Sequence, residues 1–467
     1  MSFGLEHVDL QSFDAGVFRA YDIRGIVGAS LTEPLVYHLG RAFAASAHSQ
    51  GIGEVIVAAD GRLSGPRFKE VLTQGLLEGG VDVIDIGYVP TPVLYFAAHQ
   101  HAHQTGIMIT GSHNPSDYNG FKMMLAGHTL SGEEILALRT RIEQRDYTEG
   151  KGQRREEDVA EAYLQRIIGD VHINRPLKVV VDCGNGIPGI LAPELTQRLG
   201  VEIIPLFCEV DGTFPNHHPD PGKLKNLQDV IAKVVETGAD LGLAFDGDGD
   251  RVGVVTEKGK VVYPDRVMML FAEDVVSRNP GAEILFDVKC SRLLPQVIEN
   301  AGGKASMWKT GHSLLKRRMK ECGALLAGEM SGHIFFKERW FGFDDGLYSA
   351  VRLLEILARR DESADRVFSA YPEDISTPEL NIQVTEENKF QIVDALQQLD
   401  FPGGDICRID GVRVDYPDGW GLVRASNTTP VLVLRFEAEN EAALTRIRDE
   451  FQARLHGIDA SLDIPEE

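Results

Sequence analysis

The sequence predicts an α/β protein built from three tandem, related α/β domains with mixed or parallel sheets, closed by an α+β domain. Three observations lead there. At 467 residues the chain exceeds what one core encloses, and units of about 150 residues give three or four of them. One grammar recurs from residues 54–60, 177–182 and 283–287: an apolar strand ending in aspartate, an amphipathic helix, a Gly-containing stop and another strand. Beyond about residue 379 the pattern changes to short strands joined by turns and a final helix.

In the first unit EVIVAAD (54–60) reads as a buried strand, residues 68–77 as a helix ending near glycine, and GIMI (106–109) as a strand running into a polar turn. In the second, LKVVVD (177–182) leads through GNGIPG (184–189) to a helix over 191–199. GNGIPG matches a dinucleotide fingerprint in letters, yet Pro188 stiffens it and the strand already ends in Asp182, which favours a plain strand-to-helix turn. The third unit opens on EILFD (283–287), and the strand-helix-strand order throughout implies right-handed crossovers. The closing unit carries strands near 379–384, 405–416, 420–425 and 430–438, with DYPDGWG as a turn. Its helix bears one apolar stripe, Leu444, Ile447, Phe451 and Leu455. Charged or polar runs near 155, 260 and 372 divide the chain into units 1–156, 157–260, 261–371 and 372–467.

A net charge of −23 argues against nucleic acid or an acidic membrane surface as partner, so an anionic ligand requires a local basic pocket. The five cysteines are scattered and never spaced CxxC, which disfavours a disulfide framework or a zinc site. The opening MSFGLEHVDL shows no leader pattern, and nowhere do about 18 apolar residues run together. The expectation is a cytoplasmic protein with reduced thiols.

Four motifs carry chemistry. In TGSHNPSDYNGFK (110–122), Gly111 and Pro115 frame Ser112 so that its hydroxyl is expected on a rigid, exposed loop after a strand. A serine hydrolase lacks support, because the GxSxG elbow is absent and the side chain of adjacent His113 is expected to diverge. A serine that carries a phosphoryl group explains more, with Lys122 neutralising the moving charge. In DGDGDR, the carboxylates of Asp246, Asp248 and Asp250 repel one another unless a hard divalent cation sits among them, and the glycines let the oxygens converge. An EF-hand would need glycine where Arg251 stands and helices where the flanks read as strands. Three carboxylates with open positions suit Mg²⁺ bound to a phosphate oxygen. GEMSGH (328–333) offers donors and acceptors for vicinal hydroxyls, although such residues also suit an ordinary turn. RASNTTP (424–430) supplies a guanidinium fork, hydroxyls and an amide, the inventory for a phosphate dianion, and it too could be a simple turn.

Together, in this order and one to a unit, these motifs resemble the α-D-phosphohexomutase superfamily, in particular its bacterial phosphomannomutase/phosphoglucomutase group, over essentially the whole chain. The resemblance implies four domains around a central cleft and a cytoplasmic monomer that interconverts hexose 1- and 6-phosphates of mannose or glucose. It also implies a phosphoserine enzyme, Mg²⁺ and a hexose 1,6-bisphosphate intermediate. By motif, Ser112 matches the phosphoserine, Asp246, Asp248 and Asp250 the Mg²⁺ ligands with the Ser112 phosphate, and Arg24, Lys122, Arg251 and His113 the surroundings of the transferring group. Tyr21, Lys289, His312, Glu329, Met330, Ser331, Gly332 and His333 match sugar contacts, and Arg424, Ala425, Ser426, Asn427 and Thr428 the loop for the phosphate that stays in place. Phosphoglucosamine mutases usually carry Gln where Met330 stands, so the glucose/mannose type fits better. A phosphoglucosamine mutase, a phosphomonoesterase and a non-catalytic sugar-phosphate binder are the alternatives.

Overall fold

The computed structural model describes residues 13–101 and 103–466, so the opening decapeptide read above lies outside the described residues. One sheet plan is used three times. The first sheet holds β1 (Ile23–Ile26), β2 (Glu54–Ala59), β3 (Asp82–Tyr88), β4 (Gly106–Ile109), β5 (Tyr118–Leu125), β6 (His128–Thr129) and β7 (Arg154–Glu156). Its heart is a parallel trio β3-β2-β4, bordered by antiparallel β5. The second sheet repeats this with β8 (Lys178–Asp182), β9 (Glu202–Leu206) and β10 (Leu241–Phe245) as the trio β9-β8-β10. There β11 (Val252–Thr256) is the antiparallel neighbour, with β12 (Val261–Val262) beyond it. The third has the trio β14-β13-β15 and antiparallel β16, from β13 (Glu283–Asp287), β14 (Lys304–Trp308), β15 (Leu326–Gly328) and β16 (Ile334–Phe336).

The plan follows from the residues. β2, β8, β10 and β13 are runs of β-branched and aliphatic residues buried almost throughout, as strands covered on both faces by crossover helices must be. The turn from the third strand of each trio to its antiparallel neighbour needs no crossover, and here it is a short loop. Those loops are residues 110–117, 246–251 and 329–333, which are the three motifs of the first three units.

The last sheet is antiparallel, from β17 (Ile375–Ser376), β18 (Leu380–Gln383), β19 (Asp405–Cys407), β20 (Val412–Tyr416), β21 (Gly419–Ala425) and β22 (Val431–Ala438). The single strand expected over 405–416 is two. The chain reverses at Asp410-Gly411, where Gly411 takes φ 80° against the backbone of Val423 and has no room for a Cβ. RASNTTP lies in the β21 to β22 hairpin, so the fourth motif also precedes an antiparallel strand. The charged run near 155 contributes β7, an exposed edge strand parallel to β3 whose charges discourage further pairing.

The first three sheets share one core that includes Ile56, Tyr163, Phe245, Phe271 and Leu354. The last unit encloses its own, around Leu396, Val423, Leu434 and Phe451. A small apolar contact of Val288 with Trp420 and Leu422 joins the two. No helix among the described residues is long and apolar enough to cross a membrane.

Candidate active site

Ser112 follows β4 in a left-handed conformation, φ 48°, that few side chains adopt without support. The support comes from two residues that sequence reasoning missed. Asp60, at the end of β2, accepts from Thr110 Oγ1 at 2.8 Å and from the Gly111 N–H at 3.2 Å, and Thr110 Oγ1 in turn accepts from the Ser112 N–H. Arg62 uses all five of its guanidinium N–H groups. Nε donates to Asp60, Nη1 to the carbonyls of Pro115 and Tyr118, and Nη2 to those of Ser112 (2.8 Å) and Asn114 (2.6 Å). Gly111 is required because a Cβ there would enter the Arg62 guanidinium.

The tip of the loop, Pro115 to Asp117, is exposed, but the serine is not: Ser112 is only 2% accessible. The second unit covers it, with Gly247 so close to the Ser112 carbonyl that any side chain at 247 would collide. The Ser112 hydroxyl donates to Asp246 Oδ2 at 3.1 Å, across the two units. The divergence expected for His113 is overturned, since the left-handed turn at Ser112 brings His113 Nδ1 to 3.3 Å from Oγ. Burial first, then the charges of Arg251 and Arg24, hold that imidazole well below its ordinary range, and no described carboxylate orients it as a triad would require.

Asp246, Asp248 and Asp250 are fully buried in the β10 to β11 hairpin, and one oxygen from each lies within 4.8 Å of the others. Strands on both sides exclude an EF-hand. Lys122 Nζ, from β5, donates to Asp248 Oδ2 at 2.7 Å and also to Asp250, while Thr91 Oγ1 donates to Asp248 Oδ2 at 2.5 Å. Asp248 Oδ1 and Asp250 Oδ1 remain buried without a hydrogen-bond donor. Orphaned carboxylate oxygens in a dry pocket fit a divalent cation, and the triad could hold one. GNGIPG is the strand-to-helix turn expected, and the Ile187 N–H donates to the Gly247 carbonyl at 3.1 Å, bracing the acidic loop from behind.

The remaining motifs join this centre by contact. Arg251 Nε donates to Asp246 at 3.1 Å, and its Nη1 lies 3.5 Å from the Ser331 carbonyl. His333 Nδ1 sits 2.9 Å from Ser331 Oγ and 3.1 Å from Glu329, with Nε2 3.4 Å from Asp250. Asp287 at the end of β13 accepts from the Met330 N–H and from Thr310 Oγ1, so it anchors the sugar motif as Asp60 anchors the serine motif. Gly332, φ 101°, makes that turn. Glu329 accepts from the Gly311 N–H at 2.6 Å, and His312 stacks on His333. Tyr21 donates to the Thr310 carbonyl at 2.8 Å and accepts from Asn427, while Arg19 donates to the Thr428 carbonyl. Arg424, next to Ala425 at the end of β21, pairs with Asp410 at 3.0 Å and keeps Nη2 buried and unpartnered. Ser426 Oγ bonds Thr429 Oγ1 at 2.9 Å. Lys289 pairs with Glu379 at 2.9 Å, and Arg24 with Asp22, its guanidinium facing the Asn114 amide.

Models of the family "Phosphoglucomutase/phosphomannomutase" match all four units: alpha/beta/alpha domain I over residues 15–149, domain II over 161–259, domain III over 263–374 and the C-terminal domain over 379–454. The chain belongs to this family. A phosphomannomutase/phosphoglucomutase of Pseudomonas putida is 60% identical over 462 residues, 99% of this chain and 100% of that protein. A crystal structure of a phosphoglucomutase/phosphomannomutase family protein from Burkholderia thailandensis superposes with TM-score 0.93 at 51% identity, covering 97% of this chain and 100% of that one. At 14% identity and TM-score 0.57, over 90% of this chain and 80% of that one, an Aspergillus fumigatus N-acetylphosphoglucosamine mutase shares the fold, and its structure contains GlcNAc-6P and magnesium.

In this member of the phosphoglucomutase/phosphomannomutase family burial and closely packed opposite charges together set the site's electrostatics. Burial, opposed by Arg251 and reinforced by Asp250 and Asp248, pushes Asp246 up to about 8. For Lys122 burial disfavours the charge, but Asp248 and Asp250 outweigh it and hold the ammonium well above its ordinary range. His333 follows the same logic, raised to about 9 by Asp250 and Glu329 against burial. A crevice of about 850 Å³ lies where the first, third and last units meet, lined among others by Tyr21, Glu134, Thr310, Arg317, Asp410 and Asn427, and neither Ser112 nor the acidic triad lines it.

Proposed function

We propose that this chain is a phosphohexomutase that interconverts hexose 1-phosphate and hexose 6-phosphate, of mannose or glucose, through phosphorylated Ser112 and a hexose 1,6-bisphosphate. The observation that carries the reading is the 3.1 Å approach of the Ser112 hydroxyl to an acidic triad with orphaned oxygens, in a chain 60% identical to a phosphomannomutase/phosphoglucomutase. In the unit division 1–156, 157–260, 261–371 and 372–467, the four units supply phosphoserine, metal ligands, sugar contacts and phosphate contacts in turn.

The bond from Ser112 Oγ to phosphorus breaks as one forms to O6 of the 1-phosphate, or to O1 of the 6-phosphate. The bisphosphate then turns over between the motifs and returns its other phosphate to Ser112. Lys122, Arg251 and Arg24 keep their positive charge beside the moving phosphoryl group, with His113 lining the serine. Glu329, Ser331 and His333 grip the sugar hydroxyls, with the Met330 and Gly332 backbone, Tyr21, Lys289 and His312 around them. Arg424, Ser426, Asn427 and Thr428, on the backbone continued from Ala425, hold the phosphate at rest. Mg²⁺ bound by Asp246, Asp248 and Asp250 supplies the charge that stabilises the transferring group. Burial of Ser112 keeps water from intercepting it. The five unpaired cysteines support a cytoplasmic setting.

Intact-mass measurement of a phosphate on Ser112, with side-by-side assays on glucose, mannose and glucosamine phosphates, tests the proposal. We expect isomerisation of the glucose and mannose phosphates, loss of the mass increment on adding hexose phosphate, and no turnover in Ser112→Ala. Release of inorganic phosphate would make the protein a phosphomonoesterase, and binding without turnover a sensor.

A further inference from the structure

Two thiols that take no part in the proposed chemistry touch each other. Cys183 Sγ and Cys208 Sγ lie 3.6 Å apart at the ends of neighbouring parallel strands β8 and β9. Their backbones are already tied, by Cys183 N–H to the Leu206 carbonyl at 3.1 Å and Asn185 N–H to the Phe207 carbonyl at 2.8 Å. The register pairs Asp182 with Leu206, so Cys183 falls opposite Phe207 and Cys208 lies one residue beyond, and the sulfurs need close only from 3.6 Å to the roughly 2.05 Å of a disulfide. Alternation along β9 would point Cys208 away from its partner. Phe207 prevents this by taking φ 48°, an uncommon conformation for an aromatic residue, which breaks the alternation and lets Cys208 face Cys183. Cys183 is fully buried, whereas Cys208 is half-buried and offers an approach from solvent.

We propose that Cys183 and Cys208 form a reversible disulfide that slows the enzyme under peroxide. Cys208 sulfur attacks one peroxide oxygen, giving a sulfenic acid and releasing water; Cys183 sulfur then attacks the Cys208 sulfur, forming the S–S bond and releasing a second water. Two electrons pass from the thiols to the peroxide. The consequence for the site runs through GNGIPG, whose first residue follows Cys183 directly. Gly189 lies against the Cys208 carbonyl with no room for a Cβ, and the Ile187 N–H holds the Gly247 carbonyl of the acidic loop. Drawing the sulfurs from contact to bonding distance therefore pulls on the turn that braces Asp246 and Asp248.

The experiment treats the full-length protein with hydrogen peroxide, and separately with diamide, and follows two readouts. Peptide mapping without reductant should recover a Cys183–Cys208 cross-linked pair, a result that does not depend on the mutase reading. Turnover should fall by roughly one to two orders of magnitude, the scale of a slightly misplaced reacting group, and return with dithiothreitol. Cys208→Ser and, separately, Cys183→Ala should keep basal turnover and lose the response. Absence of the cross-linked peptide with both oxidants overturns the site. A cross-link without loss of turnover, or equal loss in either variant, overturns its action as a brake.

Discussion

Arg62 is buried with its charge satisfied by one carboxylate and four carbonyls, three of these partners in the serine loop and a fourth, Tyr118, at the start of the strand that follows it. Lysine cannot reproduce that planar fork. Arg62→Lys should therefore leave substrate binding nearly intact but lower kcat by about 100-fold, the cost of a reacting atom displaced by about an ångström. Steady-state kinetics with Mg²⁺ saturating would check this, and an equal rise in KM would contradict it. Arg424 presents the opposite signature, because its Nη2 is buried without a partner and is, under the proposed function, free to donate to a phosphate. Arg424→Ala should weaken substrate binding by roughly 1.5–3 kcal/mol, read as a rise in KM, with a smaller change in kcat. The sequence announced Arg424 through its neighbours in RASNTTP. It hid Arg62, since GRLSG has no motif character and the carbonyls it binds lie some fifty residues away in the chain.

Among the elements, the helix Gly346–Ala358 depends on a carboxyl that burial pushes up to about 7. Asp345 caps it by accepting from the Tyr348 N–H at 2.8 Å, and it also accepts from the Tyr163 hydroxyl at 2.9 Å. A carboxyl raised in the fold binds its proton more tightly there than in the unfolded chain. Its contribution to stability is thus full below the ordinary value of 3.8 and is lost as pH rises through about 7. Calorimetric scans should show Tm declining across that window, and Asp345→Asn, which can still cap, should flatten the decline. The repeating strand grammar was legible because continuous apolar runs and terminal aspartates are local signals. What those aspartates do was not, because Asp60 and Asp287 act on loops that return from distant strands. The split of the strand expected over 405–416 was missed for a related reason: the demand for glycine at 411 arises from the Val423 backbone across the sheet.

At the scale of the molecule, the last unit encloses its own core and meets the third through the apolar seam at Val288, Trp420 and Leu422 and through buried guanidiniums, Arg413 donating to the Val288 and Cys290 carbonyls and Arg435 to Asp265. Any motion of it against the other three is therefore a turn about this seam. Arg19 and Tyr21 reach from the first unit to Thr428 and Asn427, and these contacts hold it over the crevice. Hexose 1,6-bisphosphate should therefore reduce the radius of gyration measured by X-ray scattering. Arg19→Ala should raise the escape of bisphosphate during turnover, measured by exchange with labelled bisphosphate in solution. Unit order and motif order were readable along the chain, whereas the convergence of the motifs was expected only through the family resemblance, since it depends on contacts such as Gly247 against Ser112 that no spacing encodes.

The placement of all four motifs on hairpin connections separates duties within the chain. Crossover segments carry the bulk of the fold, while the serine, the acidic triad and the GEMSGH and RASNTTP residues ride on the short returns between adjacent strands. A saturation library should accordingly divide sharply, with solvent-facing positions of helices such as Gln228–Thr237 accepting most replacements. The few residues of each return, glycines included, should accept almost none. Under the proposed function, transplanting a sugar preference from a relative should start with residues 329–333 and their neighbours Tyr21, Lys289 and His312, with the strands and helices beneath left untouched.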